Sequence, residues 1–108
     1  AVTADLNTNA TGAFGTYTFV GTSFENITTG SGADNITGSA VANTIRAGNG
    51  TDTVNAGDGN DTIEDAGSTF ATNASNVLNG EGGNDTIFTY VATNTLDGGT
   101  GTDTLRYD

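Results

Sequence analysis

The chain has 108 residues, with 13 carboxylates against two arginines (Arg46 and Arg106) and a formal net charge of −11. Leu, Ile, Val and Phe together number 20, under a fifth of the chain; so little apolar area does not normally offset chain entropy, so the composition signals disorder unless something besides a core holds the chain. The acidic balance excludes nucleic acid and anionic lipid as partners and favours cations, the absence of Cys, His and Lys removes disulfides, zinc sites and most catalytic bases and nucleophiles, and no apolar run approaches the roughly 20 residues of a membrane span.

The length suits about one domain. No signal peptide is visible at Ala1, and the end at Asp108, right after a repeat, reads as a piece of something longer. Residues 1–19 stand apart from the rest of the chain. AVTADL alternates, placing Val2, Ala4 and Leu6 on one face, and TYTFV brings Tyr17 and Phe19 near Phe14. The pattern predicts two β-strands joined by the polar turn NTNATGAFG, their aromatics capping the next element.

From Val20 the chain repeats every nine residues. A degenerate unit, VGTSFENIT, leads in register into TGSGADNIT, GSAVANTIR, AGNGTDTVN and AGDGNDTIE. Residues 65–70, DAGSTF, interrupt the period, which resumes at Ala71 as ATNASNVLN, GEGGNDTIF, TYVATNTLD and GGTGTDTLR. Position eight is always aliphatic: Ile27, Ile36, Ile45, Val54, Ile63, Leu78, Ile87, Leu96 and Leu105. Its neighbours are mostly Thr, Asn or charged, so one inward residue stands between two outward ones, a strand of about three residues. Positions one to six are rich in the turn formers Gly, Asn and Asp. Two units therefore close one coil of 18 residues with strands on opposite faces. Stacked coils give each short strand its backbone partners and its core. The expected fold is all-β: a two-sheet parallel solenoid over residues 20–108, interrupted at 65–70, with residues 1–19 as an N-terminal β-strand cap and coils about 4.8 Å apart.

Five units carry Asp at position six: Asp34, Asp52, Asp61, Asp85 and Asp103. Each follows a glycine at position four (Gly32, Gly50, Gly59, Gly83, Gly101), and four also have glycine at position two (Gly30, Gly48, Gly57, Gly99). Glycine permits a sharply curved backbone with convergent carbonyls. A carboxylate plus such carbonyls is a hard-oxygen set suited to six- to eight-coordinate calcium, less so to magnesium with its stricter octahedron. Stacking sets Asp34 near Asp52 and Asp85 near Asp103, where the charges repel unless a cation lies between them. The pattern is read as one calcium row holding these four, broken at residues 65–70, which replace a turn. The opposite row is read as mostly neutral, with Asn43, Asn76 and Asn94 beside Glu25 and Asp61.

These units resemble the RTX family, whose repeat is GGxGxDxUx with U large and apolar. GGTGTDTLR matches fully; AGDGNDTIE, AGNGTDTVN and TGSGADNIT miss only the first glycine; GEGGNDTIF has Glu81 at position two. The resemblance spans roughly residues 20–106 and implies a parallel β-roll with several Ca2+ ions between successive turns. The implied ligands are the carboxylates of Asp34, Asp52, Asp61, Asp85 and Asp103 with carbonyls at the glycine positions, while Asn43 offers a neutral amide oxygen opposite Asp61. It also implies a protein secreted by bacteria, usually through type I export, that folds on meeting extracellular calcium.

The combined expectation is a non-enzymatic, calcium-stabilised structural or adhesive module at the bacterial surface. Three alternatives stand beside it: a subunit of a head-to-tail filament or surface layer, an accessory domain of a secreted enzyme or toxin, and an ice-binding solenoid displaying the outward threonines Thr44, Thr53, Thr62, Thr86, Thr95 and Thr104. β-propensity accounts for those threonines more simply. Phe70, Phe88, Tyr90 and Tyr107 are candidates for a carbohydrate-binding face, with packing as their simpler role. Glu64 and Asp65 suggest an acid pair, although a solvated loop or calcium ligation at the break is the plainer reading.

Overall fold

The computed structural model describes residues 2–5, 9–12, 15–18, 25–30, 32–65, 75–90 and 93–107, with side chains from residue 25 onward. Among them every element is a β-strand, and no helix is long and apolar enough to cross a membrane. The N-terminal strands are β1 (Val2–Asp5), β2 (Asn9–Gly12) and β3 (Gly15–Thr18). Each later nonamer delivers one strand: β4 (Asn26–Thr28), β5 (Asn35–Ser39), β6 (Thr44–Arg46), β7 (Thr53–Gly57), β8 (Thr62–Glu64), β9 (Val77–Asn79), β10 (Thr86–Thr89), β11 (Thr95–Asp97) and β12 (Thr104–Tyr107).

Successive strands alternate between two sheets. One runs β12-β10-β8-β6-β4, and the other runs β11-β9-β7-β5 before continuing into β1-β2-β3. All pairs among β4 to β12 are parallel, which gives the expected two-sheet solenoid of about four coils. The register follows position eight: Ile27 pairs with Ile45, Ile45 with Ile63, Ile36 with Val54, and Ile87 with Leu105. Those side chains are the core. Ile36, Ile45, Val54, Ile63 and Leu78 are fully buried together with Ala47 and Ala56, Ile87 nearly so, and Ile27 and Leu96 pack partly against them. Leu105, on the edge strand β12, remains 58% exposed.

Two expectations are corrected. The segment NTNATGAFG is not simply a turn, because it contains β2. The three N-terminal strands form an antiparallel meander that joins the solenoid where β1 pairs in parallel with β5, Ala4 against Ile36. Backbone pairing supports a strand whose side chains are small and polar, so turn-like composition is overridden by its partners. Phe14, Phe19 and the side chain of Tyr17 lie outside the described residues, as do residues 66–74 of the interruption.

The second correction concerns the interruption itself. It does not replace a turn. β9 still falls in the sheet of β7, with Thr53 opposite Val77, and β10 beside β8, with Thr62 opposite Thr86. The offset between partners is 24 at this level and 18 in the coils on either side. The chain between β8 and β9 thus leaves the alternation of sheets unbroken. Lengthening a loop costs only about 0.6 kcal/mol per doubling, whereas omitting a strand would take Leu78 and Ile87 out of line with Val54 and Ile63.

The burial gradient predicts the cost of truncation. Ile63→Ala should lower stability by about 2–5 kcal/mol through lost burial and a residual cavity, measured by urea unfolding in saturating calcium. Leu105→Ala should stay below about 1 kcal/mol because its side chain is largely solvated. Equal losses would contradict the stacking order.

Candidate metal centre

The connections lie along two edges of the solenoid. Of the described residues, the first edge carries 29–30, 32–34, 47–52, 65, 75–76, 89–90 and 93–94; the second carries 38–43, 56–61, 80–85 and 98–103. This arrangement comes from the alternation of strands between sheets. Asp34 and Asp52 therefore share the first edge with Asn76 and Asn94, while Asp61, Asp85 and Asp103 share the second edge with Asn43. The single row of Asp34, Asp52, Asp85 and Asp103 does not form. The acidic turns begin on the first edge at Asp34, occupy both edges at Asp52 and Asp61, and continue on the second edge at Asp85 and Asp103, because the inserted residues leave the alternation of strands intact.

Position four shows why glycine is required there. Gly32, Gly50, Gly59, Gly83 and Gly101 have φ of 116, 139, 117, 129 and 130°, a region that L side chains rarely adopt. A Cβ at Gly50 would overlap the Gly32 carbonyl oxygen, one at Gly83 that of Gly59, and one at Gly101 that of Gly83. The carbonyls of this column therefore point along the stack into the next turn. At position two, Gly48, Gly57 and Gly99 have φ of 79, 102 and 87°, and Glu81 adopts the same conformation at 73°. Gly30 does not take a positive φ, although its carbonyl still accepts the Asn49 N–H at 2.9 Å.

Position six forms a side-chain ladder. The Asp34 N–H donates to Asp52 Oδ1 (2.9 Å), the Asp52 N–H to Asn76 Oδ1 (2.8 Å) and the Asn76 N–H to Asn94 Oδ1 (2.9 Å). On the second edge Asn43 donates to Asp61 (2.7 Å), Asp61 to Asp85 (2.8 Å) and Asp85 to Asp103 (3.0 Å). Asp and Asn serve equally as rungs, because each needs only Oδ1. They differ in the second atom. Asp52, Asp61 and Asp85 are 1–2% exposed, and the Oδ2 of each is buried without a hydrogen-bond partner. A buried carboxylate oxygen left this way is costly. Asp103, in the last coil, is exposed.

At Asn43 and Asn94, side chains close the turn instead. The Ser39 N–H donates to Asn43 Oδ1 at 2.7 Å, and Asn43 Nδ2 donates to Ser39 Oγ at 3.1 Å. At the far end of the first edge, Asp65 is fully buried. It accepts Thr89 Oγ1 (2.7 Å), the Tyr90 N–H (3.2 Å) and Asn94 Nδ2, which also donates to Thr89 Oγ1 at 2.7 Å. Asp65 is thus not in a solvated loop, a reading the sequence suggested because it lies beside an irregular segment. Glu64 instead sits on the outer face of its sheet, paired with Arg46 Nε at 2.9 Å, so the two acids form no pair.

The outer faces bear on the other candidates. Thr44, Thr62, Thr86 and Thr104 line up across one sheet, but Thr53 and Thr95 stand on the other with Val77 between them. Phe88 pairs across from Arg106, whose guanidinium lies 5.4 Å from its ring, while Tyr107 pairs with the buried Thr89. Neighbouring strand residues face opposite ways, so Phe88 and Tyr107 do not share a face.

Among the described residues no three acidic side chains converge on one point. The donor sets are therefore mixed, with stacked carboxylates supplemented by turn carbonyls. All are hard oxygens with unmet capacity, and they fit calcium. Burial is the main cause that raises the Asp52 carboxyl above its ordinary range; the Asp34 N–H opposes it, and the charges of Asp34 and Asp65 add to it. Asp61 is pushed up from 3.8 to about 6, chiefly by burial, against the Asn43 N–H and with the charges of Asp85, Asp58 and Glu81. A carboxyl whose folded pKa is raised contributes stability below its unfolded pKa, and that contribution is lost as pH rises through the folded value. In a chelator, β-signal in circular dichroism should grow as pH falls from roughly 7 to 4.5. Asp61→Asn should flatten that profile, because the amide keeps the rung oxygen and removes the charge; a wild-type signal that declines with acid would contradict the assignment.

A model of the RTX calcium-binding nonapeptide repeat matches the chain in four copies, over residues 28–63 and 70–105. No curated protein matches it. The two matched stretches meet at the long connection and together cover more than half of the residues, and the described coils have the stacked glycine turns that the repeat encodes. The chain belongs to the RTX calcium-binding nonapeptide repeat family.

Proposed function

We propose that this chain is a calcium-stabilised structural and adhesive module of a secreted bacterial protein, with ions lodged where two Asp-bearing glycine turns stack. Three such intervals exist: Asp34 with Asp52 on the first edge, and Asp61 with Asp85 and Asp85 with Asp103 on the second. The ligands proposed are these five carboxylates together with carbonyls of the position-two and position-four residues. The observation that carries the reading is the buried, unpartnered Oδ2 of Asp52, Asp61 and Asp85. Calcium supplies the positive charge those oxygens require, and the turns supply the remaining oxygens that its flexible coordination accepts. RTX repeats are typical of secreted bacterial proteins, and a calcium-dependent fold suits an exterior rich in the ion. We further propose that residues 1–19 act as a cap, since β1 takes the place beside β5 that a preceding coil would fill.

Native mass spectrometry at increasing calcium tests the reading. The wild type should retain one ion per interval, Asp52→Asn should lose the first-edge ion, and Asp85→Asn should lose both second-edge ions. Asn94→Ala should leave the ion count unchanged. Equal losses in Asp52→Asn and Asn94→Ala, or no retained calcium in the wild type, would overturn it.

A further inference from the structure

The three intervals are not equivalent. We infer that Asp58 and Glu81 make the interval between residues 56–61 and 80–85 the tightest calcium site, the first to fill and the fastening across the long coil. The inference rests on the calcium reading above and concerns residues outside the repeat signature, at its variable third position and at a glycine position.

The geometry places both acids against this interval. Asp58 pairs with Gly82 in a parallel bridge, and its carboxylate lies over that residue, with Oδ1 2.8 Å from where a Gly82 Cβ would stand. The neighbour of Gly82 is Glu81, the one non-glycine among the described residues with positive φ. A glycine at this position would adopt the conformation freely, as Gly57 and Gly99 do in the turns before and after it. The turn keeps its shape around the glutamate, whose carbonyl accepts the Thr100 N–H at 2.7 Å. Within the interval, Asp61 and Asp85 each bury an Oδ2 that has no hydrogen-bond partner. Asp58 and Glu81 are themselves exposed, so they act as a negative rim around two buried carboxylates.

The other intervals are less favourable. At positions two and three, residues 29–34 and 47–52 carry Gly30, Ser31, Gly48 and Asn49, with no acid; the charge of Asp65 also acts on Asp52, but that carboxylate is already held by Thr89, Tyr90 and Asn94. The interval of Asp85 with Asp103 has Glu81 on one side and Asp97 on the other, where Asp97 Oδ1 accepts the Gly99 N–H at 3.0 Å, but Asp97 and Asp103 are exposed, so solvent screens its charges more than those of the buried Asp61 and Asp85. Calcium affinity rises with the negative charge of the site, which sets the order of filling. Location adds a consequence. The Asp61–Asp85 rung spans an offset of 24 residues, and on the first edge at this level Asp52 meets the neutral Asn76. An ion here is therefore the one that ties the coils before the insertion to those after it.

Chelator-competition titration with calcium on the full chain tests this. In Asp58→Asn/Glu81→Gly the tightest step should weaken roughly ten-fold or more, while the matched charge control Glu25→Gln/Glu64→Gln should shift it less than about three-fold. Glycine at residue 81 fits the turn without strain, so the loss cannot come from a misfolded turn. Asp52→Asn should keep the tightest step and Asp61→Asn should remove it. An unchanged tightest step in the Asp58/Glu81 variant, an equal shift in the control, or removal of the tightest step by Asp52→Asn would overturn the inference while leaving calcium binding intact. Absence of calcium binding in the wild type would overturn the reading on which it rests.

Discussion

The fold depends on how buried carboxylates are tolerated when stacked one coil apart. At a separation of about 4.8 Å, two such charges repel by about 3 kcal/mol at an effective dielectric of about 20, and burial adds its own penalty. The backbone cannot avoid the arrangement. Parallel pairing at position eight brings position six of one coil over position six of the next, and each Oδ1 caps an N–H that would otherwise go unpaired. The same stacking that satisfies one oxygen leaves the other facing its neighbours. In the function proposed above, calcium resolves the conflict and also contributes what the chain lacks in apolar core.

Asparagine shows the alternative. Asn76 and Asn94 keep the rung and discard the charge, and the turns of Asn43 and Asn94 close with side-chain hydrogen bonds. The Asp65, Thr89 and Asn94 network is the fullest case: a completely buried carboxylate held by donors of the chain itself. The solenoid thus has two kinds of turn along its edges, acidic ones proposed to take an ion and neutral ones closed by the chain itself. They are arranged diagonally, with acidic turns early on the first edge and later on the second. Both edges are acidic in the coil of Asp52 and Asp61, and beyond it position six is neutral on the first edge, at Asn76 and Asn94, and acidic on the second, at Asp85 and Asp103.

Much of this was legible in the sequence. The aliphatic residue at position eight, from Ile27 to Leu105, specified strand, face and register, because a residue misplaced by one would turn outward. The glycines at position four announced a backbone that other residues cannot adopt. What the sequence left open was geometric. Six residues inserted after Glu64 read as a replaced turn, and only the pairing of Val77 with Thr53 shows that they enlarge one instead. That choice moved Asp85 and Asp103 to the edge of Asp61. β2 was hidden because Asn9 to Gly12 has turn composition and is held by its neighbours rather than by propensity. Asp65 was hidden because its partners lie 24 and 29 residues away, at distances that no local pattern reports.

The most direct test of the central claim is far-ultraviolet circular dichroism at neutral pH before and after thorough chelation, with calcium then returned. If the stacked carboxylates require a cation, chelation should abolish most of the β-signal, calcium should restore it, and magnesium should restore it poorly. A spectrum unchanged by chelation would mean that the fold holds its buried charges unaided, and the account would fail.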